Sequence, residues 1–222
     1  MRVDDTVAFR DVEGQCSIPI VKDGYDFQFT RNWFRNRNQA TWSTFLKPHY
    51  RGLKMEWPIR MLQIGVFEGA DLVWCLQNFL GHPDSRVIAV DPWAETTKLD
   101  SAYMAAVEQR ARHNLSYWQD KVQIIKGYSA QVLQELCNDP ANLNSFDLIV
   151  IDGDHTRAAV VTDAVYSLEL AKPKGWLVFD DVRNRIPKPD HVIHGIEEFL
   201  CDCGDRVKFK WAHRYCDCYE KI

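Results

Sequence analysis

The chain has 222 residues, with 27 Lys and Arg against 31 Asp and Glu, so its formal charge is −4 and its pI is about 6.0. That length fits one domain with a full hydrophobic core, and 46% hydrophobic with 26% charged residues is typical of a folded chain. No apolar run approaches the roughly 20 residues of a membrane helix, the first residues do not resemble a signal peptide, and the mild acidity argues against a broad nucleic-acid surface.

Cysteine usage indicates a reducing compartment, so we expect the protein to be cytoplasmic. Seven cysteines are an odd number, and three of them are scattered, namely Cys16, Cys75 and Cys137. The other four form two C-x-C pairs, Cys201/Cys203 and Cys216/Cys218. These pairs could assemble a zinc site, but C-x-C is not the usual knuckle spacing, and separate thiols are the favoured interpretation.

Apolar runs alternate with stretches of helical period from about residue 59. Continuous hydrophobicity over four to six residues is typical of strands that are covered on both faces. The predicted strands are Ile59–Ile64, Arg86–Val90, Val122–Ile125, Phe146–Ile151 and Trp176–Phe179. The predicted helices between and after them are Gly69–Leu80, Ser101–Tyr117, Ala130–Asn138, Thr156–Leu170 and His191–Leu200.

This alternation predicts a doubly wound, Rossmann-like α/β sheet, mostly parallel, with helices on both faces. After Gly204, two further strands joined by a turn at His213–Arg214 predict an antiparallel C-terminal edge hairpin. We therefore expect a main domain over 59–222. Residues 1–58, with one helix over Ala40–Leu46, are interpreted as a cap over the sheet or its crevice.

Ligands of such sheets bind at the carboxyl ends of the strands. Gly65 and Gly69 bracket the turn after the first strand, and Asp91 ends the second. A glycine turn lets the backbone approach a ligand, and an acid at Asp91 is placed to accept the hydroxyls of a ribose. The alternatives are a tight turn without a ligand and an Asx turn. The third glycine of a dinucleotide fingerprint is missing, and Glu68 would repel a pyrophosphate, so a nucleoside without phosphates is favoured.

Carboxylates also crowd the ends of two strands predicted to be neighbours. Asp152 and Asp154 follow the fourth strand, and Asp180 and Asp181 follow the fifth. Unpaired, they would repel one another and their pKa values would rise. Two resolutions stay open: a hard divalent cation, or a cationic ligand together with a nearby Arg or Lys such as Arg157 or Arg183.

Two segments together carry a family resemblance. MLQIGVFEGADLVWCLQNFLGHPDSRVIAVDPW followed by FDLIVIDGDHTRAAVVTDAVYSLELAKPKGWLVFDDVR resembles the class I S-adenosylmethionine-dependent methyltransferases. It is most similar to their small O-methyltransferase-like branch, which includes catechol, caffeoyl-CoA and macrolide-sugar enzymes. The resemblance covers roughly residues 59–200 and implies S-adenosylmethionine as cofactor.

The resemblance also implies roles for individual residues. The predicted cofactor-binding residues are Gln63, Gly65, Phe67, Glu68, Gly69, Asp71, Asp91, Trp93, Tyr128, Ser129 and Asp152. The first five and Asp71 would face the methionine and sugar, Asp91 and Trp93 the ribose, and Tyr128 and Ser129 the adenine. Gln63 departs from the family, which usually has an acid there, and this puts in doubt one hydrogen bond to the ammonium group.

The resemblance implies a metal as well. Asp152, Asp180 and Asp181 match the positions that hold a cation, such as Mg²⁺, Mn²⁺ or Ca²⁺, in the metal-dependent members. Asp154 and His155 are the candidate catalytic bases, since either could remove a proton from an acceptor hydroxyl. Asp154 could instead cap the next helix, and His155 could simply face solvent.

Taken together, the sequence predicts methyl transfer from S-adenosylmethionine to an oxygen of a small-molecule acceptor, assisted by a divalent cation. Partners on a membrane or a nucleic acid are not expected. Two alternatives stay open: a methyltransferase for a nucleic-acid or glycan polymer, and a cofactor-binding subunit without catalysis. The basic and aromatic segment Arg31–Arg37 could contact such a polymer, but a solvated helix face with Trp33 and Phe34 in the core is favoured.

Overall fold

A computed structural model describes residues 18–22, 24–51, 57–96, 99–183 and 191–222. Within them, the strands are β1 Ile18–Lys22, β2 Tyr25–Phe29, β3 Arg60–Ile64, β4 Arg86–Asp91, β5 Val122–Lys126, β6 Phe146–Ile151, β7 Ala171–Phe179, β8 Val207–His213 and β9 Cys216–Lys221. The α-helices are α1 Trp33–Arg37, α2 Gln39–Thr44, α3 Leu46–Arg51, α4 Ala70–Asn78, α5 Ser101–Leu115, α6 Ser129–Asn138, α7 Arg157–Leu170 and α8 Val192–Cys203.

The main sheet confirms the predicted doubly wound topology. Its strand order is β5-β4-β3-β6-β7-β9-β8, parallel from β5 to β7 and antiparallel beyond it. The chain runs outward from β3 to β4 on one side and later to β6 on the other. The topological switch point, where such sheets bind ligands, therefore lies between β3 and β6.

Alternating strand residues feed two separate cores, which explains why the strands read as continuous apolar runs. Met61 and Leu148 point to one face, where they meet α4, α5 and the N-terminal helices. Leu62 and Ile149 point to the other, where they meet α6, α7 and α8. Because both faces are covered, β3 and β6 are buried at every position except Arg60 and Asp147.

The C-terminal hairpin is present as predicted, with its turn one residue later. His213 still pairs with Cys216, and Arg214 takes a left-handed φ of 52° in the turn. Cys216 and Cys218 are both buried on the same face of β9, as a two-residue repeat requires. Cys201, by contrast, is exposed on α8, which sets it apart from the two buried thiols.

The N-terminal residues lie against the main sheet. Trp42, Leu46 and Tyr50 are buried in the same core as Met61 and Leu148. The single helix predicted over 40–46 is instead two helices, α2 and α3, which meet at Phe45. The prediction that Trp33 lies in the core is wrong: its side chain is half-exposed, because α1 has only five residues and buries none of them.

The predicted ends of the other strands and helices agree with the structure to within a few residues. β7 begins five residues earlier than predicted, with a register irregularity opposite Phe146 and Leu148. Of the described helices, none has both the length and the apolar character needed to cross a membrane.

Candidate functional site

The turn after β3 is built around glycines. Gly65 has a φ of 81° and Gly69 a φ of 77°, which L side chains rarely adopt. A Cβ on Gly65 would lie 1.9 Å from the backbone oxygen of Asp152. Gly65 is therefore required by the close approach of its turn to the end of β6, at the switch point of the sheet.

Asp91 at the end of β4 holds this turn. Its Oδ2 accepts hydrogen bonds from the backbone N–H groups of Val66, at 2.8 Å, and Phe67, at 3.0 Å, and its Oδ1 accepts one from Trp93 N, at 2.7 Å. Burial raises the pKa of Asp91, and these three hydrogen bonds oppose the rise. Because a carboxylate offers about four acceptor positions, roughly one is left for a ligand hydroxyl.

Gln63, which is buried, and Asp71, which is partly buried, form a polar pair beneath the turn. Gln63 Nε2 donates to Asp71 Oδ2, at 2.6 Å, and to the Gly65 oxygen, at 2.9 Å, while Gln63 Oε1 is buried with no hydrogen-bond partner. Burial raises the pKa of Asp71 to about 7, and the charges of Asp180 and Asp91 add to the rise. An unpaired acceptor and an unneutralised acid are thus available to a cationic ligand.

Glu68 is buried and is engaged by the protein itself. Its carboxylate accepts from Thr30 N and Oγ1, at 2.7 and 2.6 Å, and from Arg110 Nε at 2.6 Å. Its backbone oxygen accepts from Asn114 Nδ2. These contacts tie the turn to β2 and α5, so the carboxylate acts here as a support for the turn, and its predicted contact with the cofactor stays a prediction.

Aromatic rings cover the same turn. Trp93 is buried with a left-handed φ of 41°, and its Nε1 donates to the Phe67 oxygen at 2.9 Å. Trp33 lies against Phe67 with a ring-centroid distance of 4.8 Å. Phe67 and Trp93 are thus fixed beside Asp91, whereas Trp33 adds an exposed aromatic surface.

Tyr128 and Ser129 stand at the start of α6, beyond β5. The Tyr128 side chain is exposed. Ser129 begins α6 near Asp163 of α7, whose buried carboxylate oxygens have no hydrogen-bond partner among the described residues and whose pKa is raised to about 6 by burial. Tyr128 is therefore accessible to a ligand, while Ser129 contributes to the packing of α6 on α7.

The two candidate bases lie in different surroundings. Asp154 is exposed and its Oδ1 accepts from Thr156 N, whereas His155 Nε2 lies 3.2 Å from Asp152 Oδ1 and its Nδ1 lies 3.6 Å from Asp181 Oδ2. Burial lowers the pKa of His155, but the hydrogen bond to Asp152 and the charges of Asp152, Asp181 and Asp180 outweigh it and raise that pKa to about 9. His155 is thus a cation near neutral pH.

Asp180 and Asp181 already have protein partners. Asn38 Nδ2 donates to Asp180 Oδ2 at 2.6 Å, and Cys216 Sγ lies 3.3 Å from Asp180 Oδ1. Arg37 Nη1 donates to both oxygens of Asp181, at 2.9 and 3.1 Å. Both acids are nearly fully buried, so these neighbours take up the positions from which a ligand would be bound.

The side chains at the predicted metal site, Asp152, Asp180 and Asp181 with their partners, do not fit a metal ion. Across the part of the chain that the structure describes, no group of three or more His, Cys, Asp and Glu side chains is arranged to hold a metal ion. The two arginines that the sequence offered as partners for these acids bind elsewhere. Arg157 pairs with Glu198, and Arg183 pairs with Asp217. The same observation covers the described cysteines, and it gives no support to the zinc alternative.

Sequence reasoning missed three residues that complete the site. Arg37 and Asn38 reach Asp181 and Asp180 across more than 140 positions of sequence, and Cys216 reaches Asp180 from the edge hairpin. The cluster of basic and aromatic residues in Arg31–Arg37 was a signal for Arg37, and no sequence signal pointed to Asn38. Nothing in the local pattern identifies the acid that Arg37 meets.

Comparisons with known proteins agree with this geometry. A family described as a methyltransferase domain matches residues 62–182, more than half of the chain. No curated protein matches the chain in sequence.

Solved structures share the fold. An O-methyltransferase from Bacillus cereus, in complex with SAH, is 18% identical with a TM-score of 0.61, and the match covers 86% of each chain. A Klebsiella pneumoniae protein, provisionally described as an O-methyltransferase, is 20% identical with a TM-score of 0.58, covering 82% of this chain and 80% of that one.

A third structure, the MycE methyltransferase of mycinamycin biosynthesis with Mg, SAH and mycinamycin VI, is 18% identical with a TM-score of 0.55, over 81% of this chain and 49% of that one. The family match spans β3 to the end of β7 and so includes the glycine turn, Asp91 and the acidic strand ends. The chain belongs to the methyltransferase domain family, as its resemblance to the class I enzymes predicted.

Proposed function

We propose that the protein transfers a methyl group from S-adenosylmethionine to an oxygen of a small-molecule acceptor. The observation that carries the proposal is the joint between the glycine turn and Asp91, whose carboxylate meets the N–H groups of Val66 and Phe67. This joint lies beside the switch point of the sheet and leaves about one acceptor position on Asp91 for a ribose hydroxyl.

The charge of the site suits this cofactor. Gln63 Oε1 is a buried acceptor without a partner, and Asp71 beside it is a partly buried carboxyl whose pKa is raised to about 7. An ammonium group would donate to both and would stabilise the ionised carboxylate. We infer that Asp71 supplies the acidic group that the family usually places at position 63, where this chain has glutamine.

The remaining contacts follow from the same placement. Asp91 would hold the ribose, with Trp93 and Phe67 fixed beside it by the bond between Trp93 Nε1 and the Phe67 oxygen. Gly65 and Gly69 would give the methionine portion access to backbone groups, and the exposed Tyr128 would flank the adenine. Asp152 at the end of β6 would face the positive end of the cofactor.

The transfer needs an oriented acceptor and an outlet for one proton. When bound, S-adenosylmethionine supplies a methyl group on a positively charged sulfur. The Asp152–His155 pair would take the proton of the acceptor hydroxyl, whose oxygen would gain the methyl group as the bond from that carbon to sulfur breaks and the neutral thioether leaves. Burial and the charge of Asp180 raise the pKa of Asp152 well above its ordinary value, which makes this acid a better proton acceptor than an exposed aspartate.

Two parts of the proposal rest on similarity to solved structures: that the accepting atom is an oxygen, and that the acceptor is a small molecule. The Bacillus cereus structure is described as an O-methyltransferase, and the mycinamycin enzyme was solved with mycinamycin VI. The polymer alternative receives less support, because the side chain of Arg37 is paired with Asp181 and the chain has a net charge of −4.

Calorimetry with S-adenosylhomocysteine tests the cofactor assignment. We expect Asp91→Ala to weaken binding by about 1–3 kcal/mol, the effect of losing a buried hydrogen-bonding partner. Asp202→Ala, at an exposed position near the end of α8, should bind like the wild type.

Because Asp91 also supports the turn, the thermal unfolding of both variants is measured in parallel. A folded Asp91→Ala protein that binds with unchanged affinity would remove the ribose assignment. No binding by the wild type would remove the proposed function as a whole.

A further inference from the structure

The three acids that would hold a cation in a metal-dependent relative are each engaged by other side chains of this chain. Asp180 is the most enclosed of them. One oxygen accepts from Asn38 Nδ2 at 2.6 Å, the other lies 3.3 Å from Cys216 Sγ, and Asp180 and Asn38 are each only 5% exposed. A divalent cation at Asp180 would have to displace a buried amide that has nowhere else to form its hydrogen bond.

Asp181 is in direct contact with a positively charged side chain. Arg37 Nη1 lies within hydrogen-bond distance of both its oxygens. The guanidinium is held from a second side by Tyr215, whose ring centroid lies 5.4 Å from the Arg37 Cζ. Asp181 is also held in a left-handed conformation, with a φ of 53°, which directs its side chain in a way that an ordinary strand end would not.

Asp152 completes the set through His155, which lies between Asp152 and Asp181. Three carboxylates therefore meet two groups that can be cationic, the Arg37 guanidinium and the His155 imidazole. A guanidinium against Asp181 and an imidazole between Asp152 and Asp181 occupy the surroundings of these acids and leave them less able to attract a divalent ion.

The residues that contact Asp181 and Asp180, Arg37 and Asn38, enter from outside the sheet. Arg37 ends α1, Asn38 links α1 to α2, and their partners lie beyond β7. The side chain of Arg37 is 35% exposed against 10% for Asp181. An ion pair made only for stability would not need an exposed partner at the carboxyl edge of the sheet, where the acceptor would lie in the proposed reaction.

We propose that Arg37 is a built-in replacement for the divalent cation: its guanidinium occupies the cation's place at Asp181, and the enzyme works without a metal. Arg37 is then a positioning residue. Its side chain is 35% exposed, so the N–H groups that do not bind Asp181 can orient an acceptor oxygen that carries or develops negative charge. The catalytic part of this inference rests on the proposed function, whereas the exclusion of the metal does not.

Manganese binding tests the inference without a known acceptor. Bound Mn²⁺ is measured by electron paramagnetic resonance on wild type, Arg37→Met, Arg37→Lys and the double variant Arg37→Met/Asp181→Asn. We expect no bound Mn²⁺ in the wild type or in Arg37→Lys, which keeps the positive charge. Arg37→Met should gain one Mn²⁺ per chain and should lose it again when Asp181→Asn is added.

Thermal unfolding with Mn²⁺ and with EDTA gives a second measurement and shows that each variant is folded. Mn²⁺ should raise the melting temperature of Arg37→Met and leave that of the wild type unchanged. One Mn²⁺ bound per chain by the wild type would overturn the inference, and so would a folded Arg37→Met protein that gains no Mn²⁺. S-adenosylhomocysteine affinity, measured on the same samples, separates this failure from a failure of the proposed function.

Discussion

At the scale of single residues, buried carboxylates in this protein differ by what meets them. Asp91 receives three backbone N–H groups, and Asp181 receives a guanidinium. Asp71 and Asp163 have weaker hydrogen-bonding or charged partners to offset their burial, and burial raises their pKa values to about 7 and about 6. The cost of a buried acid depends on its partners and not on its depth alone.

Asp163 gives a prediction on pH and stability. Its pKa is higher in the folded protein than in the unfolded chain, so its ionisation opposes folding fully above about pH 6, and this penalty disappears below about pH 4. We expect Asp163→Asn to raise the free energy of unfolding at pH 8 by about 1–3 kcal/mol and to change it little at pH 4.

Urea unfolding of both proteins across this pH range checks it, with the exposed Asp202→Asn as control. A variant less stable than the wild type at pH 8 would show that the charge of Asp163 makes a stabilising contact.

At the scale of elements, the central strands were predictable from their continuous apolar runs. The N-terminal helices were not, because they are too short to show a helical period. Four of the five residues of β3 are buried, with Met61 on one face and Leu62 and Ile64 on the other, and this produces the apolar run seen in the sequence. α1 has five residues and α2 has six, too few for a 3.6-residue period to repeat. Their positions depend on packing against the sheet, which no local pattern records.

The turn between β3 and α4 gives a prediction on stability. Gly65→Ala would place a methyl group 1.9 Å from the Asp152 oxygen, in addition to the strain of a positive φ. We expect a loss of about 2–5 kcal/mol in the free energy of unfolding, from backbone strain and overpacking together.

Gly24→Ala is the matched control, because Gly24 has a φ of 87° and nothing within 4 Å of an added Cβ. That variant should lose only about 1–2 kcal/mol, the cost of strain alone. Equal losses in chemical unfolding would show that the turn relaxes away from β6.

At the scale of the whole molecule, the N-terminal segment and the sheet share one core. Trp42, Leu46 and Tyr50 pack with the strand residues on one face, and Arg37 and Asn38 reach the acids at the strand ends. A division of the chain at residue 58 stays a prediction. Because Arg37 and Asn38 contact the acids at the strand ends, a ligand that binds there is coupled to the packing of both the N-terminal segment and the sheet.

Cofactor binding should therefore stabilise the whole protein. At S-adenosylhomocysteine concentrations about 100 times the dissociation constant, linkage gives about 2.7 kcal/mol, equivalent to roughly 5–10 °C in melting temperature for a chain of this length. NAD⁺ at the same concentration should give no comparable shift, since the turn lacks the third glycine of a dinucleotide site. Differential scanning fluorimetry makes the comparison, and a larger shift with NAD⁺ would contradict the nucleoside assignment.

The sequence by itself determined the alternation of strands and helices, the glycine turn and the acids at the strand ends, because each of these is a local pattern with its own period or spacing. Only the tertiary structure decided what neutralises those acids. Arg37 and Asp181 are distant in sequence, and their meeting depends on how the N-terminal helices pack on the sheet. Local patterns fix where a charge stands along the chain, whereas its partner is chosen by packing, and here the partner is an arginine where the family resemblance had implied a metal.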